Sequence, residues 1–317
     1  MASGQKGQKT GRQGRKTTRR TNNAKDSKTP LKSRGFKGPS AQNPRRAYGH
    51  KAHGATAAPK SPNNRKHTPS KNNGGWLWGT HACLAALSNP KRTIHKVMIS
   101  ETASTRLKLP PLATPTQIST PQEIDKALPR GAVHQGIAIK AAPLEWPDLE
   151  IVADHAPDDG LILVLDQITD PQNVGAMIRL ASAFGVTALV MQTRKAPPLS
   201  GALAKVAVGC LETVPVCLET NIAAALQNLQ RIGWQVTGLA GETDMSVADA
   251  LSSGGKRVIV MGAEGPGLRE LVRKRCDQLA RIPMASRPDS QAAAAGQAES
   301  LNVATAAAIA LYAARQG

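Results

Sequence analysis

Leu161 to Gln192 reads LILVLDQITDPQNVGAMIRLASAFGVTALVMQ, and the order of patterns within it decides the fold. LILVLD, Leu161 to Asp166, is a near-continuous apolar run, which is how a strand buried on both faces reads. A polar turn follows, and then Val174, Met177, Ile178 and Ala181 recur at helical spacing. TALVMQ, Thr187 to Gln192, is a second buried strand. Strand, helix and strand in this order form a βαβ unit, whose strands must run parallel because a crossover joins them.

Downstream the alternation continues through AALQNLQRI, QVTGLA, RVIVMGAE, LRELVRKRC, LARIPM and SLNVATAAAIALYAARQ. The pattern predicts one α/β domain over residues 161–317, a parallel sheet covered on both faces by helices. Upstream, residues 76–140 predict a smaller alternating unit. It has a helix from Thr80 to Leu87, a strand from Ile94 to Ser100, a loop from Pro110 to Pro121, a helix from Glu123 to Leu128 and a strand from Gly136 to Lys140. At about 65 residues this unit is small for a free-standing core. Residues 141–160, rich in Pro and Asp, read as a linker.

Charge separates the remainder. Residues 1–75 carry 19 of the 41 Lys and Arg but one of the 22 acids, Asp26, so 18 of the net charge of +19 lies there. With almost no large apolar residue, this tail cannot offset the entropy of ordering and is expected to be disordered. Its charge matches the footprint of phosphate-backbone binding, which points to nucleic acid. The basic start has no apolar stripe of the kind a mitochondrial transit helix carries, so a bacterial cytoplasmic address is expected. The longest apolar run, Val303 to Ala314, falls short of a membrane span and is broken by Thr305. Cys83, Cys210, Cys217 and Cys276 form no CxxC pair and have no His at ligand spacing, so neither a metal nor a disulfide framework is expected.

Three segments carry the chemistry. In the first, Asn173 sits where an N-cap belongs, Gly175 permits close packing, and Arg179 reads alone as a solvated helix residue. In the second, Val258 to Glu270, a buried strand enters a glycine-rich turn that lets a ligand approach the backbone. Its GxxGxG spacing, Gly262, Gly265 and Gly267, reverses the dinucleotide fingerprint and disfavours a nicotinamide enzyme. The third joins Ile282-Pro-Met284 to Ser300-Leu301-Asn302-Val303, where Ser300 could cap the last helix with Asn302 exposed in its first turn. In the smaller unit, His81 and His134 read first as polar residues at an element's start, with RNA contact as the alternative. Trp76 and Trp78 read as anchors packing its first turn, with base-stacking platforms as the alternative.

Together these segments resemble the SpoU/TrmH family of SPOUT RNA ribose methyltransferases. The family's motifs stand here as Asn173-Val-Gly-Ala-Met-Ile-Arg179, Gly262-Ala-Glu264-Gly-Pro-Gly267, and Ile282-Pro-Met284 with Ser300-Leu-Asn302-Val. The likeness runs through Val208-Gly-Cys-Leu-Glu-Thr-Val-Pro215. It also reaches WGTHACLAAL and His134-Gln-Gly-Ile-Ala138, which look like the small substrate-binding domain of the branch that methylates a guanosine of 23S, large-subunit ribosomal RNA. The chain departs from the family where SRPDSQAAAA enlarges the loop between Ala285 and Gly296.

The resemblance implies a parallel sheet whose C-terminal chain threads a trefoil knot, an L30e-like small domain, and a homodimer with its site near the subunit boundary. It implies S-adenosyl-L-methionine as cofactor, held largely through the backbone by Gly241, Met261, Gly262, Gly265, Gly267, Ile282, Met284 and Leu301. The implied reaction is in-line displacement of a methyl group from a sulfonium by a ribose 2'-hydroxyl. Arg179 is the family's essential arginine. A guanidinium keeps its proton in proteins, so its expected part is to grip a phosphate and stabilise the developing alkoxide. Asn173, Glu264, Ser300 and Asn302 are expected to orient the ribose, Arg179 and the cofactor loop. Transfer RNA as substrate, or a non-catalytic RNA-binding or ribosome-assembly factor of the same fold, are the alternatives.

Overall fold

The computed structural model describes residues 75–284 and 300–316, so the basic tail and the enlarged loop lie outside the described residues. Central to the fold is β5, Leu161–Asp166, every residue of which is buried. Beside it lie β9, Arg257–Gly262, and β6, Ala188–Gln192. Outside these are β7, Val216–Glu219, on one side, and β8, Gln235–Leu239, with β10, Gln278–Ala280, on the other. The six strands are all parallel, in the order β10-β8-β9-β5-β6-β7.

Side chains alternate across this sheet as the pleat requires. Leu161, Leu163 and Leu165 enter one core with α5, Pro171–Ala183, and α10, Val303–Ala314. Ile162 and Val164 enter the other with α4, Leu149–Asp154, and α7, Ile222–Arg231. Each fully buried Leu or Ile contributes about 1.5–3 kcal/mol, so a central strand apolar on both faces commits the sheet to helices on both sides.

The smaller unit is a four-stranded sheet in the order β1-β4-β2-β3, made of Gly75–Trp78, Ile137–Ala141, Ile94–Ile99 and Thr116–Ile118. Its helices are α1, Thr80–Ser88, α2, Glu101–Arg106, and α3, Pro121–Ala127, the last closed by a capping box between Thr120 and Glu123. Trp76 and Trp78 lie in β1 and serve as packing anchors, Trp78 buried and Trp76 partly buried against the same cluster. Leu77, Val97, Ile99, Ile137 and Ile139 share one continuous core with α5 and α10, so this unit does not rely on its own small cluster of Trp78, Met98, Ile124, Leu128 and Ala138 alone.

Three contacts seat it. Gly201, which precedes α6, Ala202–Val206, donates its backbone N–H to Trp76 O at 3.0 Å. A Cβ at Gly209 would fall 2.7 Å from that of Ala85, so only glycine fits there. Buried Arg92 pairs with Glu212 of the 3-10 turn Cys210–Glu212 at 2.5 Å, and Asn89 Nδ2 donates to the same carboxylate at 2.8 Å.

Candidate active site at the carboxyl edge of the parallel sheet

The last residue of β5, Asp166, is in register with the last residue of β9, Gly262, while Leu239 of β8 is in register with Ala280 of β10. The segments that follow these four strands therefore emerge at one edge of the sheet. The chain leaves β5 toward β6 and β7 and then returns on the opposite side as β8, β9 and β10. Where strand order reverses in this way, a crevice opens outside the carboxyl ends, between β5 and β9 here, and ligands bind in such crevices.

The start of α5 differs from the sequence expectation. Asp170, not Asn173, is the N-cap: its carboxylate accepts from Gln172 N at 3.3 Å and from Asn173 N at 3.1 Å, with Pro171 at the first helical position. The side chain of Asn173 is thereby released from capping and accepts from Asn302 Nδ2 at 3.1 Å. Asn302, not Ser300, caps α10, its Oδ1 accepting from Ala304 N at 2.9 Å and Thr305 N at 3.4 Å. One amide thus performs two tasks, its oxygen closing α10 and its nitrogen tying α10 to α5. A carboxylate, which only accepts, could close α10 but could not donate to Asn173. Ser300 is exposed and has no hydrogen bond among the described residues. Gly175 packs α5 against α6, since a Cβ there would fall 2.8 Å from Val206 Cβ. Arg179, one turn further along α5, is exposed and has no partner among the described residues.

The glycine turn after β9 folds back on itself through paired backbone hydrogen bonds between Ala263 and Gly267. A Cβ at Gly262 would fall 2.2 Å from the carbonyl carbon of Gly267, which no side chain survives. Gly265 and Gly267 have φ of 86° and 69°. A Cβ on Gly241, Gly265 or Gly267 would meet nothing within 4 Å, so this backbone borders open space. Glu264 is exposed in the turn, without a partner among the described residues. Met261 is buried in the core, leaving its main chain as the part available at the edge. Ile282 and Leu301 are half-buried and Met284 is exposed.

The turn is anchored by a residue that sequence reasoning missed. The buried carboxylate of Asp166 accepts from Arg269 N at 3.0 Å and Arg269 Nε at 2.8 Å, and pairs with Nη2 at 2.6 Å. Nothing in the sequence links an acid ending one strand to an arginine 103 residues later. An ion pair between Glu242 and Arg273 similarly ties the loop after β8 to α9, Glu270–Arg273.

Burial pushes the thiols of Cys83, Cys217 and Cys276 up to about 12, so all three are protonated at neutral pH and poor nucleophiles. Among the described residues no His, Cys, Asp and Glu side chains group as metal ligands, and no helix is long and apolar enough to cross a membrane.

Comparison with known proteins accords with this geometry. The model of the SpoU rRNA methylase family matches residues 160–312, and the model for RNA 2'-O ribose methyltransferase substrate binding matches residues 76–147. The 23S rRNA (guanosine-2'-O-)-methyltransferase RlmB of Vibrio vulnificus is 37% identical over 247 residues, covering 75% of this chain and 94% of that protein. Its counterpart in Pseudomonas aeruginosa is 36% identical over 243 residues, covering 74% and 94%. The crystal structure of the SpoU methyltransferase AviRb from Streptomyces viridochromogenes in complex with AdoMet shares the fold. It aligns with a TM-score of 0.61 and 20% identity over 77% of this chain and 90% of that one. Fold and site thus define a parallel α/β methylase preceded by a substrate-binding unit. The chain belongs to the SpoU rRNA methylase family.

Proposed function

We propose that the chain transfers a methyl group from S-adenosyl-L-methionine to the 2'-oxygen of a guanosine in 23S ribosomal RNA. The observation that carries this reading is the joining of two distant motifs, Asn173 to Asn302, at the edge where the glycine turn also emerges. The near-complete coverage of relatives named for this reaction supports the substrate. This edge suits the cofactor: Gly241 in the loop after β8 and Gly265 and Gly267 in the glycine turn present backbone toward open space, where a group held through main-chain atoms needs no side chain. Met261, Gly262, Ile282, Met284 and Leu301 belong to the same lining. When bound, the cofactor supplies an electrophilic methyl group on a sulfonium.

The protein's part is orientation and charge. Exposed Arg179 grips an adjacent phosphate and stabilises the negative charge that develops as the 2'-hydroxyl passes its proton to that phosphate or to solvent. Asn173 and Asn302 hold α5 and α10 together, Glu264 and Ser300 reach the ribose from the turn and the helix start, and the Asp166–Arg269 pair keeps the turn in place.

The unit within residues 76–140 serves as the RNA-binding domain and residues 161–317 as the catalytic domain, with the C-terminal chain threaded as a knot. Return of α10 from beyond the edge strand β10 to pack on α5 and β9 supports that threading. The exposure of Ile309 and Tyr312 on α10 supports a homodimer formed through that helix. Such a substrate places the protein in a bacterial cytoplasm. Mapping 2'-O-methyl positions in ribosomal RNA from a deletion strain tests the function. One missing guanosine methyl, restored by the wild-type gene, is the expected result, and an unchanged map of 23S RNA contradicts it.

A further inference from the structure

Strand β5 ends in a strained residue. Gln167, directly after the buried Asp166, has φ of 63°, a region that residues with side chains avoid and that glycine adopts freely. Such strain persists only where the surroundings impose it, and it collects at sites that bind ligands. With the backbone in this form, Gln167 Oε1 accepts from Lys195 Nζ at 3.3 Å.

Lys195 belongs to the turn after β6, which neighbours β5 on the side away from β9 and its glycine turn. That turn is fixed by its own backbone. Lys195 N and Ala196 N both donate to Gln192 O, at 3.2 and 2.9 Å, and Thr193 N donates to Glu219 O at 2.9 Å. Ala196 packs on the core, so Lys195 stands exposed on an anchored segment. The segment is not arranged for stability alone: Gln192 Oε1 and Thr193 Oγ1 are buried there without partners among the described residues, and each such group is destabilising.

Charge points to the ligand. The partner of Lys195 is a neutral amide, which orients the ammonium without cancelling its charge. The acid that ends β5, Asp166, is already taken by Arg269. Arg194, beside Lys195, is exposed as well. An ammonium held at the carboxyl edge of a parallel sheet, flanking the crevice, suits a phosphate. Arg179 stands about two and a half turns beyond the N-cap of α5, roughly 14 Å along the axis, on a different element. We propose that Lys195 binds a backbone phosphate of the RNA substrate beside the active site, a different phosphate from the one Arg179 grips, and that Gln167 positions it. The assignment rests on the RNA methyltransferase reading above.

Lys195→Met removes the charge, Lys195→Arg keeps it, and Gln167→Gly removes the tether while relieving the backbone. Filter binding of the full-length chain to unmethylated 23S ribosomal RNA, at several salt concentrations, reads the effect. Lys195→Met should weaken binding about fivefold, the scale of one exposed charge contact, and lower the slope of log affinity against log salt by about one. Lys195→Arg should restore both. Gln167→Gly should weaken binding less, and should add nothing to Lys195→Met in the double variant, since the two act as a unit. In methylation assays Lys195→Met should raise the KM for RNA with kcat held, the mark of a contact made equally in ground and transition states. Wild-type affinity and salt slope in Lys195→Met would overturn the proposal. So would weakened S-adenosylmethionine binding in calorimetry, which would give Lys195 to the cofactor's carboxylate, and so would losses that add in the double variant. A wild-type chain that transfers no methyl to any RNA contradicts the enzyme reading instead, and the salt slope still decides Lys195.

Discussion

Two side chains bear most of the weight at the scale of the residue. Arg179 has no structural task among the described residues, because it is exposed and makes no bond, so Arg179→Ala should fold normally and keep its cofactor affinity. Its maximal rate should fall by about 100-fold or more, the scale of removing one group that stabilises developing charge. Single-turnover methylation checks this, and near-normal turnover removes Arg179 from the mechanism. Asn302 separates capping from linking. Asn302→Asp keeps an oxygen for Ala304 N and Thr305 N but loses the donor to Asn173, so stability should hold while activity drops. Asn302→Ala should lose both, with about 1 kcal/mol from the cap visible in chemical denaturation. The motif residues were legible in the sequence, but their local roles were not. Asp170 followed by Pro171 is itself a helix-start signal, and it placed the start of α5 three residues before Asn173. Ser300 and Asn302 are both cap formers, and periodicity does not choose between them. Asp166 was invisible because its importance lies in a partner distant in sequence.

At the scale of the element, the parallel sheet was readable because its strands are apolar on both faces and its helices carry one apolar stripe. Elements lacking that contrast escaped. Strand β3 lies inside the stretch read as a loop, and all three of its residues are exposed at a sheet edge. Helix α4 lies inside the stretch read as a linker, and its buried positions, Leu149 and Ala153, are too few to set a period. The helix read through Leu268 to Cys276 is one turn, because Arg269 turns toward Asp166 before it begins. The join between the two sheets gives a prediction of its own. Arg92 and Glu212 are 3% and 4% exposed, so Arg92→Ala leaves a carboxylate buried without its cation. A loss of about 3 kcal/mol is expected in urea unfolding, because breaking a buried pair from one side strands the other charge. A loss below half a kilocalorie would mean the two sheets are held by their shared core alone.

Across the whole molecule, charge and chemistry are separated. Eighteen of the net positive charges lie in residues 1–75, whereas every candidate catalytic residue lies beyond residue 160. Deleting residues 1–75 should weaken RNA binding and flatten the dependence of log affinity on log salt, because phosphate contacts release counterions. The maximal rate and the methylated position should not move, since backbone contacts steer encounter without choosing a nucleotide. Filter binding at several salt concentrations reads the first effect, and an unchanged slope makes the tail a spectator. The central claim is the reaction itself. Purified full-length chain, labelled S-adenosylmethionine and unmethylated 23S ribosomal RNA, followed by nuclease digestion and nucleoside analysis, test it most directly. The account predicts label in 2'-O-methylguanosine from a single site; label on a base, on another nucleoside or on no RNA contradicts it.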